Sequence, residues 1–464
     1  MTATGMSGAT GIAAGLARQL NGRVITPGDR GYEEARRVWN GCIDRTPALI
    51  ARCRSSAEVA ATVRAAAEHQ VPLAVRGGGH SLPGFSACDA GIVLDLSGLD
   101  AVEVDPGRRV ARAGGGALWS GYDAATCAYG LASPGGLVST TGVAGLTLGG
   151  GIGWLLRKHG LACDNLLAAD VVTADGAVVR ASAGEHAELL WGLRGGGGNF
   201  GVVTSFEFRL HPVDTVVGGL LVFPQARYAE LAGVYRDWAA GLTEEFTTML
   251  VAGTAPDEDF LPGDLRGQPA AFVIGCHLGG EAAAAADLAP LRALRPAADL
   301  FAPMPYPGLQ SMFDADVPAG RRYHFKGGFL PALTDQAVAT ITRQMAGRPS
   351  GYSEFDLHHM GGAFANIDPG STAFPDRRSD FTYNILACWD HPAGDDTNRT
   401  WARGFAAALD RLGQATGYVN FLTDTQDATE IHRIYGSDRY ARLQRLKREF
   451  DPSNLFRLNH NIQP

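Results

Sequence analysis

The 464-residue chain has a formal net charge of −8, is 45% hydrophobic and contains 61 glycines. That length and apolar content can bury a large core in about two to three domains, while the acidic balance and the lack of a long basic run argue against a nucleic-acid partner. Lysine occurs only at Lys158, Lys326 and Lys447, never in a phosphate-loop pattern, which disfavours a P-loop nucleotidase and leaves few places for a lysine-bound pyridoxal cofactor.

The seven cysteines are odd in number, widely spaced and never C-x-x-C, so neither a disulfide framework nor a metal site is expected. Residues 1–20 lack the basic start and apolar centre of a signal peptide, and no apolar run reaches the ~20 residues that span a bilayer. The expectation is a cytoplasmic enzyme acting on a small molecule, with no membrane partner and with its oligomeric state open.

In chain order, residues 29–40 place Tyr32, Ala35 and Val38 at helical spacing, and 47–52 read as a short strand. Residues 56–69 open on serine with an acidic first turn and an alanine-rich body, all helix signals. The apolar run 71–75 then breaks into Arg76-Gly77-Gly78-Gly79-His80-Ser81. Residues without Cβ let backbone N–H groups converge on an anion at such a turn, and a diphosphate is the anion this suggests. Strands are expected at 91–96, 102–105 and 109–116, with a helix at 118–129. The spacing is not a Rossmann fingerprint, because Gly-Gly-Gly-His lacks G-x-G-x-x-G.

A second glycine cluster runs from Pro134-Gly135-Gly136 through Val138, Thr141, Gly142, Gly145 and Leu146 to Gly149-Gly150-Gly151. A third, Arg194-Gly195-Gly196-Gly197-Gly198-Asn199-Phe200-Gly201, leads into Val202 and Val203. Small residues at this density let backbone lie flat against a planar ligand. Farther on, 352–360 alternates so that Tyr352, Glu354, Asp356, His358 and Met360 share one face, while Ser353, Phe355, Leu357 and His359 take the other.

The order and wording of the three glycine clusters, with the closing segment Phe450-Asp451-Pro452-Ser453-Asn454-Leu455-Phe456 and Asn459-His460-Asn461-Ile462, resemble the berberine bridge enzyme-like FAD-linked oxidases of the vanillyl-alcohol oxidase fold superfamily. The resemblance implies an α+β chain: a PCMH-type FAD-binding domain of two α/β subdomains over 1–213, a substrate domain over 214–416 whose antiparallel sheet is covered by helices, and a segment 417–464 returning to the FAD domain. It implies FAD joined covalently to the imidazole of His80. It places Gly77, Gly78 and Gly79 on the diphosphate, with Arg76 and Ser81 as lesser contributors. Val138, Thr141, Gly142, Gly145, Leu146, Gly149, Gly150, Gly151, Asn199, Gly201, Val202, Val203 and Asn459 are the other cofactor-binding candidates.

Members with a second covalent bond carry a cysteine where this chain has Val138, so no cysteinyl link is expected, and Cys163 lies too far along to replace it. Many members carry a phenolic base in an Asn-Tyr pair that here reads Asn420-Phe421. The catalytic candidates are therefore Glu354 and His358 on the alternating strand and Tyr418 beside the altered pair. The reaction implied is hydride removal from a carbon bearing oxygen or nitrogen, with reoxidation by O₂. The alternatives are an oxygenating or rearranging flavoenzyme and a non-catalytic flavin-binding protein. The arginine-rich, lysine-poor composition suits a high-GC bacterium with secondary metabolism.

Overall fold

The computed structural model of the chain describes residues 3–412, 417–424 and 428–464. Strands β1 (Val24–Ile25), β2 (Leu49–Arg52), β3 (Leu73–Arg76) and β4 (Ile92–Asp95) form the first sheet in the order β1-β2-β4-β3. Both β2 and β3 run parallel to β4, whose four residues are all buried, the usual state of a central parallel strand. The helix Ser56–Glu68 makes the crossover from β2 to β3, and the Ser55 hydroxyl caps it by accepting the N–H of Glu58 at 3.3 Å. Its Val59, Val63 and Ala66 pack under the sheet beside Ile12, Leu16 and Leu20.

Helical spacing over residues 29–40 survives only as the single turn Tyr32–Ala35. Beyond it the chain leaves the helix path so that the Asn40 amide can donate to the carbonyls of Leu82 and Tyr323, at 2.9 and 3.0 Å. Two long-range bonds to a buried side chain outweigh the weak propensity of so short a segment.

The second sheet is antiparallel. Strands β5 (Val102–Asp105) and β6 (Val110–Gly114) are followed by the two-residue β7 (Leu131–Ala132), then β8 (Leu166–Val172), β9 (Val178–Ser182) and β10 (Val202–Arg209). The sheet order is β5-β6-β10-β8-β9, and β7 pairs separately with β11 (His211–Pro212). Trp119 and Tyr122 from the helix Trp119–Cys127 share one core with Phe206 and Phe208 of β10 and with Leu443 and Leu446 of the helix Ser437–Phe450. The tail beyond that helix is pinned by Lys447, whose fully buried ammonium donates to the carbonyls of Asn199 and Phe456, each at 2.9 Å, and to Asp451 at 2.7 Å. Three acceptors and a counter-charge are what let a lysine sit dry.

The remaining strands are β12 (Thr215–Pro224), β13 (Phe246–Thr254), β14 (Pro269–His277), β15 (Ala298–Asp299), β16 (Ala302–Pro305), β17 (Arg322–Leu330), β18 (Glu354–His359) and β19 (Phe381–Trp389). They form one eight-stranded antiparallel sheet in the order β15-β12-β14-β13-β18-β19-β17, with β16 also on β12. One face packs against the helices Tyr228–Ala240, Asp335–Ala346 and Asp395–Asp410, burying Leu250, Ala252, Phe355, Leu357 and Ile385 among Tyr235, Ile341 and Phe405. Period-two alternation sends Met249, Val251, Glu354, Asp356 and His358 to the other face, which looks onto the glycine turns. The expected boundary at residue 416 lies outside the described residues. Among the described residues no helix is long and apolar enough to cross a membrane.

Candidate active site

Between the glycine turns and the eight-stranded sheet lies a cavity of about 1180 Å³. Its first wall starts where β3 ends. Residues 77–81 all line it, together with Val138, Thr141, Gly142, Gly145, Leu146 and Gly149 from the second cluster and Gly197, Gly198, Gly201, Val202 and Val203 from the third. Two of these loops cross at Gly78 and Gly142, so closely that a Cβ on Gly78 would sit 2.4 Å from the Gly142 nitrogen. No side chain fits between them. At Gly79, which has a φ of 73°, and at Gly145 and Gly198, a Cβ would meet no protein atom within 4 Å. These are bare backbone positions facing open space, the kind of cradle that lets a flat, phosphate-bearing cofactor reach main-chain N–H groups. Asn459 and His460 close the end of this wall, and the buried Asn459 Oδ1 has no partner among the described residues. The residues present fit FAD.

Four expected cofactor contacts fall elsewhere. Arg76 ends β3 with its guanidinium turned away, donating to the carbonyls of Ser86 and Ala35, and it does not line the cavity. Gly150 and Gly151 lie behind the wall: a Cβ on Gly150 would strike the Phe374 ring at 2.5 Å, and one on Gly151 the Ala162 methyl at the same distance. Their absent side chains serve packing. Asn199 holds the tail, donating to the carbonyls of Gly196 and His460 and accepting from the Ile462 N–H.

His80 stands at the cavity edge between two elements. Its ring stacks on Trp39 with centroids 4.9 Å apart and planes 18° from parallel, and Trp39 in turn stacks on Tyr323 at 3.8 Å. Its Nε2 meets Thr140 Oγ1 at 3.1 Å. Burial lowers the imidazole pKa to about 4, so the ring is neutral at physiological pH and carries a lone pair. The rings behind His80 are themselves fixed to the segment 311–321, since Trp39 Nε1 donates to the Val317 carbonyl at 3.0 Å and the Tyr323 hydroxyl to that of Pro318 at 2.7 Å. Asp314 of the same segment accepts from the Ser139 N–H at 2.8 Å and from its hydroxyl at 2.5 Å.

The opposite wall comes from the sheet. Glu354, Asp356 and His358 line the cavity from β18, with Asn384 and Leu386 of β19 on one side and Met249, Val251, Phe272 and Ile274 of β13 and β14 on the other. Burial raises the pKa of both Glu354 and Asp356, and mutual repulsion with Asp356 adds to the effect on Glu354. The Asn384 amide donates to Asp356 at 3.3 Å. Burial lowers His358 to about 4, so it too is neutral. Tyr352 also lines the cavity but is half exposed, with the Arg321 guanidinium 4.0 Å above its ring. Met360 does not line it: the strand ends at His359, and Met360 is buried with Phe329 and Phe364.

Tyr418 lines the cavity, and its hydroxyl accepts the N–H of Gly151 at 3.0 Å and the Asn420 amide at 2.9 Å; these two bonds favour the phenolate, but burial outweighs them and raises the pKa. A phenol that burial keeps protonated is a poor general base at neutral pH. Its evident work is to anchor the glycine turn. Phe421 also lines the cavity and stacks on His358 at 5.9 Å. Cys163 is buried, hydrogen-bonded toward Asp164 at 3.7 Å, and does not line the cavity, whereas Val138 does. Among the described residues no cluster of histidine, cysteine, aspartate or glutamate could hold a metal ion.

Sequence reasoning did not single out Trp39, Asn384, Asp316 or Arg321 for the site. Asp316 and Arg321 come from the covering segment and Asn384 from a strand paired across the sheet, so only long-range pairing brings them in. Asp356 could have been found, because it shares the strand face of Glu354.

Residues 47–182 match a family described as FAD binding domain, and residues 417–463 one described as berberine and berberine like. The chain is 34% identical over 459 residues to (R)-6-hydroxynicotine oxidase of Paenarthrobacter nicotinovorans, covering 96% of this chain and 97% of that one. The crystal structure of 6-hydroxy-D-nicotine oxidase from Arthrobacter nicotinovorans superposes with a TM-score of 0.85 at 32% identity, over 95% of this chain and 97% of that one. A variant of berberine bridge enzyme shares the fold with a TM-score of 0.84 at 21% identity, over 97% and 99% of the two chains. With the glycine cradle and the sheet that faces it, these likenesses make the protein an enzyme with the PCMH-type fold, and the chain belongs to the berberine bridge enzyme-like family of FAD-linked oxidoreductases.

Proposed function

We propose that the protein is an oxidase that takes two electrons from a carbon–nitrogen bond of a small amine, with FAD tethered to His80 and O₂ as the final acceptor. The observation that carries this reading is the pair Glu354 and Asp356, both raised by burial, on the sheet face opposite the glycine cradle. Kinship with an enzyme named for oxidising 6-hydroxynicotine supports nitrogen rather than oxygen at the reacting carbon.

Residues 77–79 would hold the diphosphate through backbone N–H groups, while Leu146, Val203 and Asn459 would line the rest of the cofactor. Bound there, FAD supplies the two-electron acceptor. His80, neutral and held by Trp39 and Thr140, presents the nucleophilic form of imidazole for a single tether, and Val138 leaves no thiol for a second. The substrate amine arrives as a cation, and hydride loss needs its nitrogen lone pair free. Glu354 and Asp356 attract the cation and take its proton. Raised carboxylates do this with a driving force suited to neutral pH, because the best general base has a pKa near the working pH. Neutral His358 stands two residues along the same face to accept a hydrogen bond. Met249, Val251, Phe272 and Ile274 exclude water beside them.

The test is anaerobic mixing of the purified flavoprotein with panels of amines, alcohols and sugars, followed by admission of air. Amines should bleach the flavin, and air should then restore the colour with release of one peroxide per imine formed. Bleaching by alcohols or sugars but by no amine would overturn the reading.

A further inference from the structure

Four strands place cavity-facing side chains in rows, two of which span apolar and polar residues. Phe272 lies opposite Val251, Val251 opposite Asp356, and Asp356 opposite Asn384; in the next row Ile274 lies opposite Met249, and Met249 opposite His358. Each row thus runs from two apolar residues on β14 and β13 into polar ones, Asp356 and Asn384 on β18 and β19 in the first and His358 on β18 in the second. The polar stripe has hydrogen-bonding capacity that the protein does not use. Asn384 spends an amide N–H on Asp356, which leaves Asn384 Oδ1 without a partner among the described residues, and His358 Nε2 is without one too, a second acceptor in the tautomer that carries its proton on Nδ1. Both residues are nearly sealed from solvent, at 4% and 5% exposure. The carboxyls of Glu354 and Asp356 add further acceptor oxygens whenever they are ionised, the form in which they take a proton from the ligand.

A buried acceptor left unpaired costs more than one that finds a donor, so this stripe selects for what its ligand donates. We infer that the site is built for an amine bringing two or more N–H donors, a primary ammonium above all, on an apolar body that lies along Val251, Met249, Phe272 and Ile274. This rests on the amine-oxidase reading and narrows it. A tertiary ammonium carries the same charge but a single N–H, and an alcohol carries one O–H and no charge. Charge alone therefore does not explain the stripe.

Binding can be separated from chemistry with α,α-dimethylbenzylamine, which has no hydrogen on its benzylic carbon, on protein whose flavin is held reduced by dithionite without air, so that the N-methyl groups of its methylated forms cannot be oxidised either. Its primary, N-methyl and N,N-dimethyl forms are titrated against the flavin-loaded protein and followed by the flavin absorption spectrum and by the melting temperature. Affinity should fall in that order, by about tenfold for each N–H removed, since a charge-assisted hydrogen bond is worth about that much. Asn384→Leu, which deletes one unpaired acceptor, should keep its flavin and shrink the preference. Equal binding of the primary and N,N-dimethyl forms to the wild-type protein would overturn this inference alone, whether or not the Asn384 variant folds. An unchanged preference in a folded Asn384→Leu protein would remove Asn384 Oδ1 from the selecting stripe. Failure of all three to bind, with no oxidisable amine bleaching the flavin, would overturn the amine reading itself.

Discussion

One wall of the cavity is made of backbone and the opposite wall of side chains. On the cradle side, residues 77–81 and the second and third glycine clusters present main chain, and the loops are so close that Gly78 and Gly142 exclude even a methyl group. On the sheet side, the strand backbones are spent in the ladder, and Glu354, Asp356, His358 and Asn384 do the facing. The difference teaches where each wall is vulnerable. The cradle is sensitive to volume and indifferent to charge, whereas the sheet face is sensitive to charge and hydrogen bonding at constant volume.

His80→Ala tests the place where the proposed tether makes the cradle depend on a side chain. The wild-type protein should keep its flavin through acid precipitation, with His80 in the only flavin-bearing peptide. The variant should lose all acid-stable flavin while still binding FAD reversibly. Flavin washing off the denatured wild-type protein would break the tether reading. Glu354→Gln probes the other wall. It keeps volume and flavin content, and flavin reduction by substrate should slow ~10²-fold or more, the usual scale of general acid–base help. A near wild-type rate in anaerobic single turnover would remove Glu354 from the mechanism and leave His358.

Gly78→Ala adds one methyl and no charge. Overpacking of this kind costs roughly 1–3 kcal/mol, so the flavin-to-protein absorbance ratio should drop by about tenfold. A full complement of flavin in the purified variant would break the contrast between the walls. The subtlest test is pH. A carboxylate accepts a proton only when ionised, so flavin reduction should quicken as pH rises through the pair's pKa. Burial and mutual repulsion have lifted that pKa, which puts the limb above the ~4 of an ordinary carboxylate. Removing the Glu354 charge relieves the repulsion, so the residual limb in Glu354→Gln should shift downward. A wild-type limb at ordinary carboxylate pH would mean that the pair is solvated and not the base.

The same contrast decides what could be read from the sequence. Backbone function leaves glycines in runs, and a run is visible without any knowledge of neighbours, so the cradle was legible from residues 77–79 onward. Strand alternation was legible too, and it put Glu354, Asp356 and His358 together. Arg76 misled because adjacency to a loop says nothing about direction: strand geometry turns its guanidinium toward Ser86 and Ala35. Tyr418 looked like a base by its place beside Asn420, but the burial that keeps its phenol protonated comes only with the folded turn. Asn384 and Trp39 reach the site by sheet register and by a three-ring stack, long-range pairings that leave no local trace.

The tail gives the molecule a timetable. The cavity needs Gly77 from early in the chain and Asn459 and His460 from near its end, and the latter are in place only once Lys447 has drawn Asn199 and Phe456 together. The cradle therefore gains its last side only after residues 447–460 have been made and have packed against Asn199. A berth whose sides come from segments so far apart in sequence is finished by folding and not by any one segment, so a cofactor that fits it reports that those segments have come together.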